Sequence, residues 1–330
     1  MLRMQVSAAL LLGLQILVTG CGHGSGILSN AGGTDDGRPA PVRVEPFEAG
    51  RPELVLIVTG HTSGLLEVCN CQGPMLGGMA NRSGLIHSYR AAADDAVVLD
   101  LGNCFWIEPG DLRNEYVVKG FDLIDYDALV VGSHEWACEP ERFSKLFAPA
   151  DFALLSSNVR RGKTNVDLQK VFLKSGPWGK LAILSYTPPG VLQFLPGAAA
   201  LEVEPLESVA DSARKLKRDG HIVVLAVHGF EADVRKAAAE VSAADLILRG
   251  NTRRTNEHLK TVAGVPVARI GGREMVGILA LQLKDRKLES IEFRPEVIDG
   301  DWPVDDRLLK NFQSYIKEAE RQSKTSADSR

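Results

Sequence analysis

The chain has 330 residues, 45% of them hydrophobic and 24% charged, a balance that supports a sizeable buried core and excludes the disordered and fibrous classes. Lys and Arg number 38 against 42 Asp and Glu, a formal net charge of -4. No extended block of like charge offers a basic footprint, so nucleic acid is excluded as a partner.

Residues 1–20 read as an export signal. Arg3 precedes an apolar run over residues 6–18, interrupted only by Ser7, Gly13 and Gln15. As a helix rising ~1.5 Å per residue, this run covers roughly 20 Å of a ~30 Å hydrocarbon slab, too little to span it comfortably. It ends in Val18-Thr19-Gly20-Cys21, which resembles the lipobox of bacterial lipoproteins, where the cysteine is acylated and becomes the first residue; an uncleaved anchor and a chance cysteine after an ordinary signal are the other readings. The resemblance implies lipidation at Cys21 and an exported, membrane-anchored lipoprotein of the cell envelope, because several acyl chains on one cysteine hold firmly where one does not. Residues 21–53 are rich in Gly, Ser, Asn, Asp and Pro and predict a flexible tether.

A folded body is expected over residues 54–295. It opens on Leu54-Val55-Leu56-Ile57-Val58, a continuous apolar run suited to a strand buried on both faces. Similar runs recur at 96–101, 128–131, 152–155, 222–227 and 245–248. Helical patterns lie between several of them, clearest at Leu206, Val209, Ala210, Ala213 and Leu216. This alternation predicts a largely parallel α/β sheet. Segments around Val171 and over 181–185, 267–270, 278–283 and 288–293 lack intervening helices and predict antiparallel strands. Residues 296–330 supply an amphipathic helix after Pro303 and a polar tail fraying from Gln322.

In such sheets ligands gather in loops at the carboxyl ends of the strands, and those loops carry Thr59-Gly60-His61-Thr62-Ser63-Gly64, Gly77-Gly78-Met79-Ala80, Leu99-Asp100-Leu101-Gly102-Asn103, Gly132-Ser133-His134-Glu135, Ser156-Ser157-Asn158, His228-Gly229 and Gly250-Asn251-Thr252-Arg253. In order and spacing these segments resemble the N-terminal metallophosphoesterase domain of the bacterial 5'-nucleotidase family. The resemblance implies a calcineurin-like four-layer α/β/β/α sandwich. It also implies that the family's separate C-terminal nucleotide-binding domain has no counterpart among the roughly 35 residues after Pro295.

Family members hold two divalent metals about 3.5 to 4 Å apart, which clamp a phosphoryl group and activate water. Their ligands come as Asp-x-His, Gly-Asp, Gly-Asn-His-Glu, a lone His and Gly-His-x-His. Here those positions read His61-x-Ser63, Asn103, Ser133, and Gly250-Asn251-Thr252-Arg253; His228 remains, as does the pair His134 and Glu135. Two dications 3.5 Å apart repel by roughly 19 kcal/mol at an effective dielectric of ~20 before any ligand compensates. Without the bridging carboxylate, the standard dinuclear site is not expected. His134 and Glu135 are the catalytic candidates should activity persist, and Asn103, Asn158, Asn251 and Arg253 are candidates for binding a small anion.

Cys69, Cys71, Cys104 and Cys138 also fall in loops after the first three strands. Three readings stand: disulfides, favoured by an exported location; zinc or another divalent metal held with His61 and His228; or a redox-active pair. Trp106 and Trp136 flank two of these cysteines and either cap a cleft or fill the core. Two functions are thus carried forward. One is a tethered phosphoesterase-like protein that binds a ligand, metal or envelope partner without hydrolysis. The other is a metal-dependent phosphoesterase with a non-standard Cys/His centre.

Overall fold

Alternate residues of β1 (Leu54–Thr59) enter two different cores: Val55 and Ile57 face helices, whereas Leu54, Leu56 and Val58 face a second sheet. A continuous apolar run is what such a strand requires. The computed structural model describes residues 36–67, 77–107, 110–162 and 164–328. The export signal, Cys21, Cys69 and Cys71 lie outside the described residues.

After β1 come α1 (Met79–Ala91), β2 (Ala96–Asp100), α2 (Leu112–Ile124), β3 (Ala128–Val130), α3 (Ser133–Trp136), α4 (Pro140–Phe147) and β4 (Ala153–Leu155). The chain continues through β5 (Val159–Arg161), β6 (Leu168–Gln169), β7 (Phe172–Gly176), β8 (Gly179–Tyr186), α5 (Pro189–Leu192) and β9 (Leu201–Val203). Then follow α6 (Leu206–Arg218), β10 (Ile222–Val227), α7 (Glu231–Glu240), β11 (Leu246–Arg249), β12 (Lys260–Val262) and β13 (Val265–Arg269). A hairpin of β14 (Met275–Lys284) and β15 (Lys287–Val297) precedes α8 (Asp306–Asp328).

The first sheet has the order β15-β14-β1-β2-β3-β4-β6 and the second β12-β13-β11-β10-β8-β7; β5 and β9 form a small ribbon. Three apolar cores separate four layers. One lies between the first sheet and α1, α2, α4 and α8; a second lies between the sheets; the third lies between the second sheet and α6 with α7. This is the four-layer α/β/β/α sandwich.

Three details differ from the sequence reading. β8 and β13, expected to be antiparallel, run parallel to β10 and β11. The crossover helix α6 returns the chain to the same end of the sheet after β8, while the long segment after β11 does so for β13. Residues 36–53, expected to be tether, run along the body. Phe47 is 5% exposed beneath the Arg294 guanidinium, which also donates to the carbonyls of Glu45 and Pro46 at 2.8 and 2.7 Å. Val44 and Phe47 join the core under the helices, and the Val42 N–H donates to the Ser88 hydroxyl. Lastly, α8 continues past Gln322 and packs Leu308, Phe312 and Tyr315 against the helical layer. No described helix is long and apolar enough to cross a membrane.

Candidate functional site

The carboxyl ends of β1, β2, β3, β10 and β11 deliver five short loops to one edge, and the backbone there is unusual. His61, Ser63, Asn103 and Asn251 all have left-handed φ, at 55°, 48°, 60° and 52°. For residues other than glycine this conformation costs energy and persists only where the surroundings enforce it. Cross-loop hydrogen bonds do so: the His61 N–H reaches the Gly102 carbonyl and the Ser63 N–H the Asn103 carbonyl, both at 2.9 Å. Gly132 permits a close approach, since a Cβ on it would stand 2.6 Å from the Asn103 nitrogen and 2.7 Å from His228 Cε1.

Asn103 is the hub. Its Oδ1 accepts from the His134 N–H at 3.0 Å and from the Ser133 hydroxyl at 3.1 Å. A backbone N–H can only donate, so the amide orientation is set; Nδ2 donates to Asn251 Oδ1 at 3.2 Å and lies 3.2 Å from His61 Nδ1. His228 is buried. Its Nδ1 lies 3.0 Å from the Leu101 carbonyl and therefore carries the hydrogen, leaving Nε2 to accept from the Ser133 N–H at 3.1 Å. Burial lowers the His228 pKa, in keeping with this neutral form. Glu135, fully buried, accepts from the N–H groups of Asn103, Gly132 and Phe105, each at 2.9 Å. His134 Nδ1 sits 2.9 Å from the Phe105 carbonyl.

Arg253 donates from Nε to His61 Nε2 at 3.2 Å, and the His61 and His134 rings lie 5.4 Å apart. Burial, followed by the nearby His134 and Arg253, lowers the His61 pKa to about 4. Its proton NMR titration is expected to show a midpoint near pH 4, moving upward in Arg253→Gln. An unfolded histidine titrates near 6.5, so the unfolded chain binds more protons between these values. The His61 contribution to stability is therefore complete above pH 6.5 and is lost as pH falls through 4.

The other sequence candidates lie apart from this network. Asn158 uses Oδ1 on the Thr187 N–H and Nδ2 on the carbonyls of Thr187 and Glu204, tying the loop after β4 to that after β8. Its amide has no free end for a ligand. Cys104 and Cys138 are free thiols buried in the core under the helices. Burial raises the thiol pKa well above the usual range for Cys104 and to about 11 for Cys138. Trp136 is core, stacked on Phe143 at 5.6 Å. Trp106 instead lies between the guanidinium groups of Arg113 and Arg273, at 5.7 and 5.5 Å. Arg273, whose Nη2 approaches the Ser63 carbonyl at 3.4 Å, was not foreseen. It follows β13, whose parallel pairing with β11 brings this loop to the same edge.

These residues do not fit a dinuclear metal centre. Glu135 is buried and accepts from three N–H groups, Asp100 is buried with its oxygens on the Thr59 hydroxyl and the Gly102 N–H, and His228 Nε2 already accepts from Ser133. Among the described residues, no group of three or more His, Cys, Asp or Glu side chains is placed to hold a metal ion.

Comparison with solved structures identifies the scaffold. A sulfate thiohydrolase from Thermus thermophilus superimposes with a TM-score of 0.73 at 16% identity, covering 85% of this chain and 62% of that one. A 5'-nucleotidase precursor from the same organism gives 0.71 at 17%, covering 81% and 59%. The fold is that of the calcineurin-like phosphoesterases. A calcineurin-like phosphoesterase from Bacillus subtilis, with a TM-score of 0.65 at 16% identity, is covered over 98% of its length by 81% of this chain. The chain thus spans about three fifths of the first two structures, as a likeness confined to the N-terminal domain of the 5'-nucleotidases requires. No protein-family model matches the sequence, and no curated protein matches it significantly.

Proposed function

We propose that this protein uses a calcineurin-like phosphoesterase scaffold to bind a small anionic ligand without hydrolysing it, with a degenerate dinuclear site at the sheet edge. One observation carries the reading. The side chains at the ligand positions, His61, Asn103, Ser133, His228 and Asn251, bond to one another or to backbone, while Arg253 enters where a metal-binding histidine would stand. Arg253 and Arg273 border the cleft and supply the positive charge that an anion needs. The competing reading, a phosphoesterase using zinc or another divalent metal on Cys and His, has less support. Metal binding needs thiolates, and burial keeps Cys104 and Cys138 protonated.

Assays with nucleotides and aryl phosphates in Mn, Mg, Zn or Ca are expected to show no appreciable phosphate release. Calorimetry with inorganic phosphate should show binding that Arg253→Gln weakens about tenfold or more, the loss of one charge-assisted hydrogen bond. Turnover of about 1 to 10³ per second that disappears in His228→Ala would overturn the reading.

The site is proposed to work outside the cytoplasm, on a body tethered to the envelope membrane through Cys21. Cys21→Ser is then expected to abolish fatty-acid labelling and to move the protein from the membrane to the soluble fraction. A wild-type protein that carries no lipid label would exclude the anchor.

A further inference from the structure

A second concentration of positive charge lies on the outer face of the second sheet, behind the loop that carries Asn251 and Arg253. Arg249 and Arg269 end the neighbouring parallel strands β11 and β13 and are register partners. In each strand the residue two positions earlier, Ile247 or Val267, belongs to the core beneath α6 and α7. Both arginines therefore leave the sheet on that same face. With Lys260, Asn256, Glu231, Val262 and Val267 they line a shallow recess of about 20 Å³ that opens to solvent, so an anion would sit at its mouth. Three cations thus surround one carboxylate, and Glu231 is engaged by Arg249.

Two features separate this group from an ordinary solvated surface cluster. The Nε atoms of both arginines are buried and lack a hydrogen-bond partner, although buried N–H groups almost always have one. In addition, among the described residues no carboxylate lies within 4 Å of the Arg269 guanidinium, which stands close enough to Arg249 to depress its pKa along with burial. Two neighbouring guanidinium groups, of which Arg269 has no carboxylate partner among the described residues, suit an acceptor that is multiply charged and rich in oxygen.

We propose that this recess is a second anion site, selective for a tetrahedral oxyanion, either free phosphate or the terminal phosphoryl group of a larger molecule. Planar guanidinium forks suit that geometry, and Lys260 adds a flexible charge. The proposal does not rest on the function of the cleft.

The full chain carrying Arg253→Gln, in which the cleft binds more weakly, is titrated with inorganic phosphate or AMP at constant ionic strength, with chloride as control, by calorimetry and thermal shift. Saturable binding is expected, weakened about tenfold or more by a further Arg269→Gln or Lys260→Gln. Phosphate binding tighter than AMP assigns the free ion, and the reverse assigns a phosphoryl group. Anion-free Arg269→Gln should melt no lower than its parent, since one of two repelling charges is gone, and its far-UV circular dichroism should be unchanged. Absence of saturable binding above chloride, or undiminished binding in both Arg269→Gln and Lys260→Gln, would overturn the site.

Discussion

Glu135→Ala is expected to destabilise the protein by about 4 kcal/mol or more, measured as a lowered urea midpoint at unchanged slope. The carboxylate accepts from three backbone N–H groups, two in the loop after β2 and one in the loop after β3, and it is fully buried. Alanine abandons all three donors at roughly 1 to 3 kcal/mol each, offset in part by water entering the hole. Glu135→Gln should cost less. Its amide oxygen still accepts on one side, while its NH₂ faces a donor on the other. A Glu135→Ala midpoint equal to that of the wild type would show that these N–H groups find other acceptors, and the loops would then need a different account.

Gly132→Ala is the second large effect. The added methyl would fall within 2.8 Å of the Asn103 nitrogen, His228 Cε1 and Asn103 Oδ1 together, and none of these is the free end of a flexible chain. At φ -95° the backbone suits alanine, so the cost comes from packing alone. Overpacking a tight site costs about 1 to 3 kcal/mol, and the hub must shift to relieve it. The expected signature is specific: the bonds joining Asn103 to Ser133 and His134 should lengthen, and the His61 ring should titrate differently from the wild type. Retention of both the wild-type melting temperature and the His61 midpoint would show that the three loops are less closely packed than their distances imply.

The sequence made the strands and the site loops legible for the same reason. Buried strands need unbroken apolar runs, and the glycines and polar residues that follow them mark where the chain leaves the sheet. His61, Asn103, His228 and Asn251 were identifiable because the loops that carry them resemble the metal-ligand motifs of the 5'-nucleotidase family, and parallel strands bring those loops to one edge. Strand direction was less visible. It depends on what carries the chain back, and β8 and β13 were read as antiparallel because no helical pattern directly precedes either of them. Asn158 illustrates another limit. Its residue type suited a ligand contact, but its role was decided by Thr187, 29 residues away and adjacent only after folding. The cysteines spread over the first three loops by count, yet Cys104 and Cys138 point into the helical core, a matter of rotation about the chain that spacing alone does not encode.

The left-handed turns at His61, Ser63, Asn103 and Asn251 also bear on redesign. Loop geometry is ordinarily the hardest part of a metal site to build, because side chains can be exchanged at will but backbone must be coaxed into strained conformations. Here the strained backbone is already in place and stabilised by neighbours that include Glu135. Replacing Asn103 with aspartate and Ser63 and Asn251 with histidine would add ligand chemistry to turns that need no remodelling. That makes this chain a scaffold on which a phosphoesterase centre could be assembled one ligand at a time, with the value of each read separately.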